Sequence, residues 1–304
     1  MMLYKKLTDA IGNTPLVKVP FDCLGNCYAK LEYLNPGGSV KDRSACYMIE
    51  QAEKNGILNS GGVIIDASSG NHGIAVAMIG AIKGYEVIIT VSEKISKEKL
   101  DTIKAYGAKI IMCPATEFID DPQSYHSQAV ALHKKTPGSF MPNQYYNPTN
   151  RDGHYHSLGT EIWQQTNGTI THFFAAAGTT GTVSGVGRYL KEKNTDIKVF
   201  AIDSINSYRA TGGFPKPYKI EGMGMDFDTP VFDESIVDDI ICVSDNNALT
   251  MLKLLAQKYG LLVGPSSGAV AYVVDQYAKN LQPNDLAVMI FGDSGRAYLT
   301  KRFY

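Results

Sequence analysis

The sequence predicts an α/β fold in two lobes, with parallel-rich twisted sheets covered by helices. Two observations carry this. Short runs rich in β-branched and aliphatic residues alternate with longer segments of helical character. Most of those runs end in turns of Gly, Ser, Thr and Asn that lead directly into the next helical segment. Alternation of this kind builds βαβ units, whose crossovers make neighbouring strands parallel and cover both faces of the sheet. Strands are expected at 62–67, 85–91, 108–113, 172–177, 197–203 and 286–292, and helices at 69–83, 97–106, 123–134, 181–193 and 246–259. The stretch 144–150, with Asn147-Pro148, reads as a loop between two such series, so lobes are expected over 1–145 and 146–304. A second irregular stretch, 206–230, is rich in Gly and Pro, and loops of that length in a compact domain are usually functional.

Composition narrows the function. The 304 residues suffice for two separate cores. Lys and Arg number 29 against 30 Asp and Glu, a net charge of −1, so no global basic field recruits nucleic acid or anionic lipid. A pocket, rather than a charged surface, is where function is expected. The apolar stretch 74–82 is too short to span a bilayer, and Met1-Met2-Leu3-Tyr4-Lys5-Lys6 does not lead into the apolar run of a signal peptide. The expected location is therefore the cytoplasm. Among the five cysteines, Cys23 and Cys27 have a spacing a metal site could use, but no second Cys/His pair completes it. No metal and no disulfide are assigned. His126, His133 and His172 show no ligand spacing.

Four turns carry possible chemistry. In Asn35-Pro36-Gly37-Gly38-Ser39-Val40-Lys41-Asp42-Arg43, Pro and two glycines mark a tight turn and Ser39 suits a helix N-cap. Lys41 then falls in the first turn of a helix, where the macrodipole and burial both favour a neutral, nucleophilic amine. A surface lysine after a loop is the equal alternative. The turn Asp66-Ala67-Ser68-Ser69-Gly70-Asn71-His72-Gly73 joins a strand end to a helix start, where free N–H groups bind carboxylates or phosphates; a plain cap would use the same residues. Gly178-Thr179-Thr180-Gly181-Thr182 offers amides and three hydroxyls suited to a phosphate, though it matches neither a P-loop nor the dinucleotide pattern. In Gly264-Pro265-Ser266-Ser267-Gly268 a neutral hydroxyl could meet a heterocyclic nitrogen without protonating it, or simply cap the helix.

A Schiff-base lysine, a carboxylate cradle, a phosphate cradle and a pyridine-facing hydroxyl together describe pyridoxal phosphate. With Ile11-Gly12-Asn13-Thr14-Pro15-Leu16-Val17 and Ser266-Ser267-Gly268-Ala269, these motifs run in order from residue 11 to about 298 and resemble the cysteine synthase/cystathionine β-synthase family. That family has the fold-type II, tryptophan synthase β-like architecture. The resemblance implies that Lys41 is the catalytic lysine holding pyridoxal 5'-phosphate and that Asn71 stacks its amide against the cofactor's 3-hydroxyl. It implies that Gly178, Thr179, Thr180, Gly181 and Thr182 hold the phosphate and that Ser266 faces the ring nitrogen. Ser68, Ser69, Asn71 and Gln144 would bind the substrate carboxylate, with a smaller mobile part over about 36–143 closing on it. The implied reaction is β-replacement through an α-aminoacrylate: cysteine from O-acetylserine and sulfide, with cystathionine or lanthionine synthesis, or cysteine desulfhydration, as the alternative. A homodimer and a serine acetyltransferase partner are implied in the same way. A non-catalytic partner-binding homologue is the reading from a different class.

Three departures matter. Ser68-Ser69-Gly70-Asn71-His72 replaces the usual Thr-Ser-Gly-Asn-Thr, with His72 read as a helix cap rather than a catalytic group. Thr180 stands where a glycine is common, adding either bulk against the cofactor or a hydroxyl contact. Glu221-Gly222-Met223-Gly224-Met225-Asp226-Phe227 resembles the cystathionine β-synthase segment, and Asp226 is expected either to attract the ammonium of an amino-acid thiol or to be a solvated loop carboxylate. Since the chain ends at Tyr304, neither a regulatory tandem domain nor a haem extension is expected.

Overall fold

A computed structural model describes residues 3–116 and 118–304. Two sheets organise the chain. The smaller contains β3 (Val63–Ala67), β4 (Glu86–Ser92) and β5 (Lys109–Cys113), all parallel and in that spatial order. The larger has six strands in the order β1 (Leu16–Lys18), β2 (Asn26–Leu31), β9 (Leu286–Phe291), β6 (His172–Ala176), β7 (Lys198–Ser204) and β8 (Asp239–Val243). Only the β1–β2 pair is antiparallel. Strands from both ends of the chain thus meet in one sheet, because β2 pairs with β9 along its whole length.

Burial on both faces explains the apolar runs. In β6, Phe173 packs with Leu158, Val183 and Leu190 on one face. Phe174 joins Leu252, Val270 and Met289 on the other. The covering helices are α7 (Gly181–Lys193) on the first side and α8 (Asp245–Tyr259) and α9 (Pro265–Tyr277) on the second. Around the small sheet, α1 (Lys41–Lys54), α2 (Asn71–Lys83) and α3 (Lys97–Ala105) supply Ile49, Ile74, Ile79 and Ile103 to the core holding Ile64 and Ile89. On the opposite face Ile65 meets Ala129 of α4 (Tyr125–Lys135).

The six strands and five helices expected from the sequence all form, within two residues at each end. Three strands and a helical segment were not expected. β1 is only three residues long, and β2 hides its strand character behind the buried Lys30. The segment α5 (Thr149–His154), a π-turn over Tyr155–Gly159 and α6 (Thr160–Gln165) contains Gly153 and Gly159, which obscure its helical pattern. Cys27, Cys46 and Cys113 are buried, Cys23 half-buried and Cys242 exposed; the sulfurs of Cys23 and Cys27 lie 3.9 Å apart. No helix among the described residues is long and apolar enough to cross a membrane.

A buried ionic cluster joins α1 to the large sheet. Arg43 Nε and Nη2 donate to Glu32 at 2.6 and 2.9 Å, and its Nη1 and Nη2 donate to Glu161 at 2.7 and 2.8 Å. Lys30 Nζ donates to Glu161 at 2.8 Å and to the Thr14 carbonyl at 2.5 Å. Burial alone would raise the Glu161 carboxyl, but hydrogen bonding and charge from Arg43, helped by Lys30, hold it at about 2. Replacing Arg43 by Met leaves two buried carboxylates without their main partner, and a loss of about 3–5 kcal/mol in urea unfolding at pH 7 is expected. Because the folded carboxyl is depressed, its contribution is complete above its ordinary value of 4.5 and is lost as pH falls toward about 2. Stability of the wild type should therefore fall between about pH 5 and 3 more steeply than that of Glu161→Gln.

Candidate active site

Strand ends of both sheets feed one cavity of about 460 Å³. Lys41, Ser68, Ser69, Asn71, Gln144, Gly178, Thr179 and Asp226 all line it. Thr180, Gly181 and Thr182 continue the same turn from Thr179 into the next helix, and Ser266 adjoins the lining residue Gly222.

Lys41 opens α1, as its turn predicts. Val40 before it already has helical backbone. Ser39 Oγ accepts from the Lys41 N–H two residues on at 3.2 Å, the bond expected of a serine N-cap. The turn is stitched to the end of β9: Val40 N–H donates to the Gly292 carbonyl at 2.8 Å, and Ser39 bridges Asp293. Gly37 N–H donates to Asp42 Oδ2 at 2.6 Å, and a Cβ at Gly37 would stand 2.6 Å from Asp42 Oδ1, so only glycine allows this approach. Lys41 Nζ has no hydrogen-bond or ion-pair partner among the described residues. Burial lowers its amine to about 8, against the opposing pull of Asp293.

The second turn commits its serine oxygens to backbone N–H groups without exhausting the hydroxyls. Ser68 Oγ accepts from Gly70 N–H at 3.3 Å and Gly73 N–H at 3.0 Å, and Ser69 Oγ accepts from Ser92 N–H at 2.6 Å. Each hydroxyl proton remains available to an anion in the cavity. Asn71, at the start of α2, donates its Nδ2 to Asp293 Oδ2 at 2.7 Å. His72 is no cap: its Nε2 lies 2.7 Å from Asp66 Oδ2 and both side chains are buried, because the ring turns back onto β3. Asp66 Oδ1 in turn accepts from Asn143 N–H at 3.2 Å, which sets Gln144 at the cavity wall with its Oε1 unpartnered.

At the third turn Thr180 adopts φ +63°, a left-handed conformation unfavourable for a β-branched residue. Its hydroxyl donates to the Thr179 carbonyl at 2.6 Å, so it serves the loop itself. Asn150 of α5 donates to the Gln144 carbonyl and to Thr179 Oγ, leaving its Oδ1 unpartnered and tying the loop to the Gln144 segment. His154 Nε2 lies 3.4 Å from Thr182 Oγ, and burial, with Lys41 and Arg43, pushes its ring well below the usual imidazole range. A Cβ at Gly178 would stand 2.7 Å from the Gly222 carbonyl. The long loop thus packs directly on this turn, and Gly224 N–H donates to the Ala177 carbonyl at 2.8 Å. Asp226, on the same loop, accepts from Tyr218 O–H at 2.5 Å and Tyr208 N–H at 3.3 Å.

These donors fit pyridoxal phosphate. An unpaired amine suits the aldehyde, and the N-terminus of α7, with no side-chain cap, presents free N–H groups suited to a phosphate. Neither Asn150 nor Asp293 is singled out by the sequence. Gly292-Asp293-Ser294-Gly295 nevertheless closes the expected strand 286–292, as the turns at 66–73 and 178–182 close theirs, and that position is the signal that marks it.

The family described as pyridoxal-phosphate dependent enzyme matches residues 7–293. A cystathionine beta-synthase of Apis mellifera is 43% identical over 307 aligned positions, which cover 97% of this chain but 60% of the bee protein. A cysteine synthase of Staphylococcus aureus is 40% identical, covering 98% of this chain and 96% of its own. The crystal structure of an O-acetylserine dependent cystathionine beta-synthase from Helicobacter pylori superposes with a TM-score of 0.93 at 38% identity over the full length of both chains.

A lysine amine at about 8 has a direct consequence for labelling. In the apoprotein, acylation of Lys41 by an amine-selective reagent should be half-maximal near pH 8, whereas solvated lysines require about pH 10. Peptide mapping across a pH series reads both.

Proposed function

The chain belongs to the cysteine synthase/cystathionine β-synthase family of pyridoxal-phosphate-dependent enzymes, and from that premise we propose how its residues carry out β-replacement. The observation that carries the reading is the unpaired amine of the half-buried Lys41 in a cavity shared with Asn71 and the residue 178–179 turn. When bound, pyridoxal phosphate supplies the electron-withdrawing ring that lets an α-proton and then a β-substituent leave an amino acid. Lys41 holds the cofactor and serves as the base. At pH 7 about one part in ten of an amine at about 8 is neutral, against fewer than about one in a thousand for a solvated lysine. The same group returns the proton after the sulfur nucleophile has added.

Ser68, Ser69, Asn71 and Gln144 bind the substrate carboxylate, helped by the N-terminus of α2. Gly178, Thr179, Gly181 and Thr182, with the amide of Thr180, hold the phosphate at the N-terminus of α7. Ser266 presents a neutral hydroxyl to the ring nitrogen, which keeps the ring from becoming a full electron sink and favours elimination over transamination. The primary reading is cysteine formation from O-acetylserine and sulfide. A second reading, cystathionine or lanthionine synthesis, is supported by Asp226, whose carboxylate lines the same cavity and offers a partner to the ammonium of an amino-acid thiol. We extend the proposal to a cytoplasmic homodimer able to dock a serine acetyltransferase, on the resemblance alone.

Titrating the holoenzyme with O-acetylserine, serine and cysteine while following the visible band of the bound cofactor tests the reading. Conversion by O-acetylserine alone, with sulfide restoring the original band, is expected. Conversion by serine or cysteine selects the second reading, and no conversion by any of the three contradicts both. Asp226→Ala should leave turnover with sulfide unchanged while raising KM for homocysteine at least about tenfold; equal effects on the two nucleophiles would remove Asp226 from thiol recognition.

A further inference from the structure

The three turns proposed to carry Lys41, Asn71 and Ser266 all end on one residue. Asp293 follows β9 by two positions and is almost wholly buried. Its backbone bridges Ser39, two residues before Lys41, and its carbonyl accepts from Gly264 N–H at 2.9 Å, two residues before Ser266. Its Oδ2 accepts from Asn71 Nδ2 at 2.7 Å and from Tyr298 O–H at 2.5 Å. Oδ1 has no hydrogen-bond partner, and a Cβ at Gly264 would collide with it.

A carboxylate only accepts, so Asn71 must turn its amide nitrogen toward Asp293. That fixes the amide against a flip and leaves its second N–H and its carbonyl for the cavity. Tyr298 holds the accepting oxygen in place, and Lys99 Nζ donates to the Tyr298 hydroxyl at 3.1 Å and to Glu221 at 2.6 Å. The charged groups acting on this carboxylate are Lys41 from α1, Lys99 from α3 and Glu221 from the long loop, with the hydroxyls of Tyr298 and Tyr304 beside them.

We propose that Asp293 is a positioning residue for β-replacement: its carboxylate sets the orientation of Asn71, and its backbone holds the Lys41 and Ser266 turns at the same point. The proposal rests on the reading that Lys41 and Asn71 contact the cofactor. It is tested in the holoenzyme by a cycle of Asp293→Asn, Asn71→Ala and the double variant, reading kcat/KM, the position of the visible band and the affinity of the apoprotein for pyridoxal phosphate. Each single change is expected to lower kcat/KM at least about tenfold and to shift the band in the same direction. The double variant should fall no more than about twofold below Asn71→Ala. Losses that multiply, or an unmoved band in Asp293→Asn, mean that Asp293 acts only on general stability and overturn the proposal. An effect from Asn71→Ala with none from Asp293→Asn overturns the proposal alone; no effect from Asn71→Ala overturns the site reading as well. Should Asp293→Asn not fold, Tyr298→Phe removes the other donor from the same oxygen. Its loss, about threefold in the wild-type background, should vanish in the Asn71→Ala background, and an equal loss in both backgrounds overturns the proposal.

Discussion

Arg43 is clamped between two carboxylates, Glu32 and Glu161, that come from segments 129 residues apart, and the site is assembled around that clamp. The guanidinium reaches both because its planar fork satisfies several acceptors at once, which a lysine ammonium on a flexible stem would not do in the same geometry. With Glu32 leading out of β2, Arg43 in the first turn of α1 and Glu161 on α6, the cluster fixes where α1 begins relative to the large sheet. Lys41 is two residues from Arg43, so the position of its amine is inherited from this clamp. Four charges of alternating sign, counting Lys30, cost desolvation that only near-complete hydrogen bonding offsets, and the cluster meets that condition.

The same arrangement explains the behaviour of Lys41. A lysine at the first position of a helix has no stabilising dipole, and burial removes its hydration; among the described residues the acidic neighbour acting on it is Asp293, whose oxygen is already shared between Asn71 and Tyr298. Lowering of the amine is therefore the outcome of placement, with no dedicated base needed beside it. Polar atoms left without partners, Gln144 Oε1, Asn150 Oδ1 and Asp293 Oδ1, are buried around the same region.

Most of the fold was legible because its central strands, such as β3, β6, β7 and β9, are buried on both faces and therefore read as unbroken apolar runs between turn residues. β2 was not, since Lys30 interrupts it, and a buried lysine is intelligible only once Glu161 and the Thr14 carbonyl are seen around it. The same limit applies at the site. Ser68 and Ser69 carry two roles that the sequence presents as rivals: their oxygens cap α2 and receive Ser92, while their protons stay free. His72 is a core partner of Asp66, a pairing six residues apart that a helix-cap rule does not describe. Thr180 carries a left-handed backbone and spends its hydroxyl within the loop. Asp293 escaped notice because its importance lies in long-range contacts, to Ser39, Asn71 and Gly264, rather than in any local pattern.

In the proposed reading the amine at the start of α1 holds the cofactor. Reducing the holoenzyme with borohydride and mapping its peptides by mass spectrometry tests this. A phosphopyridoxyl mass on Lys41, and on no other lysine, is the predicted result. The same mass on a different lysine, or none on a protein that retains its visible band, would contradict the account.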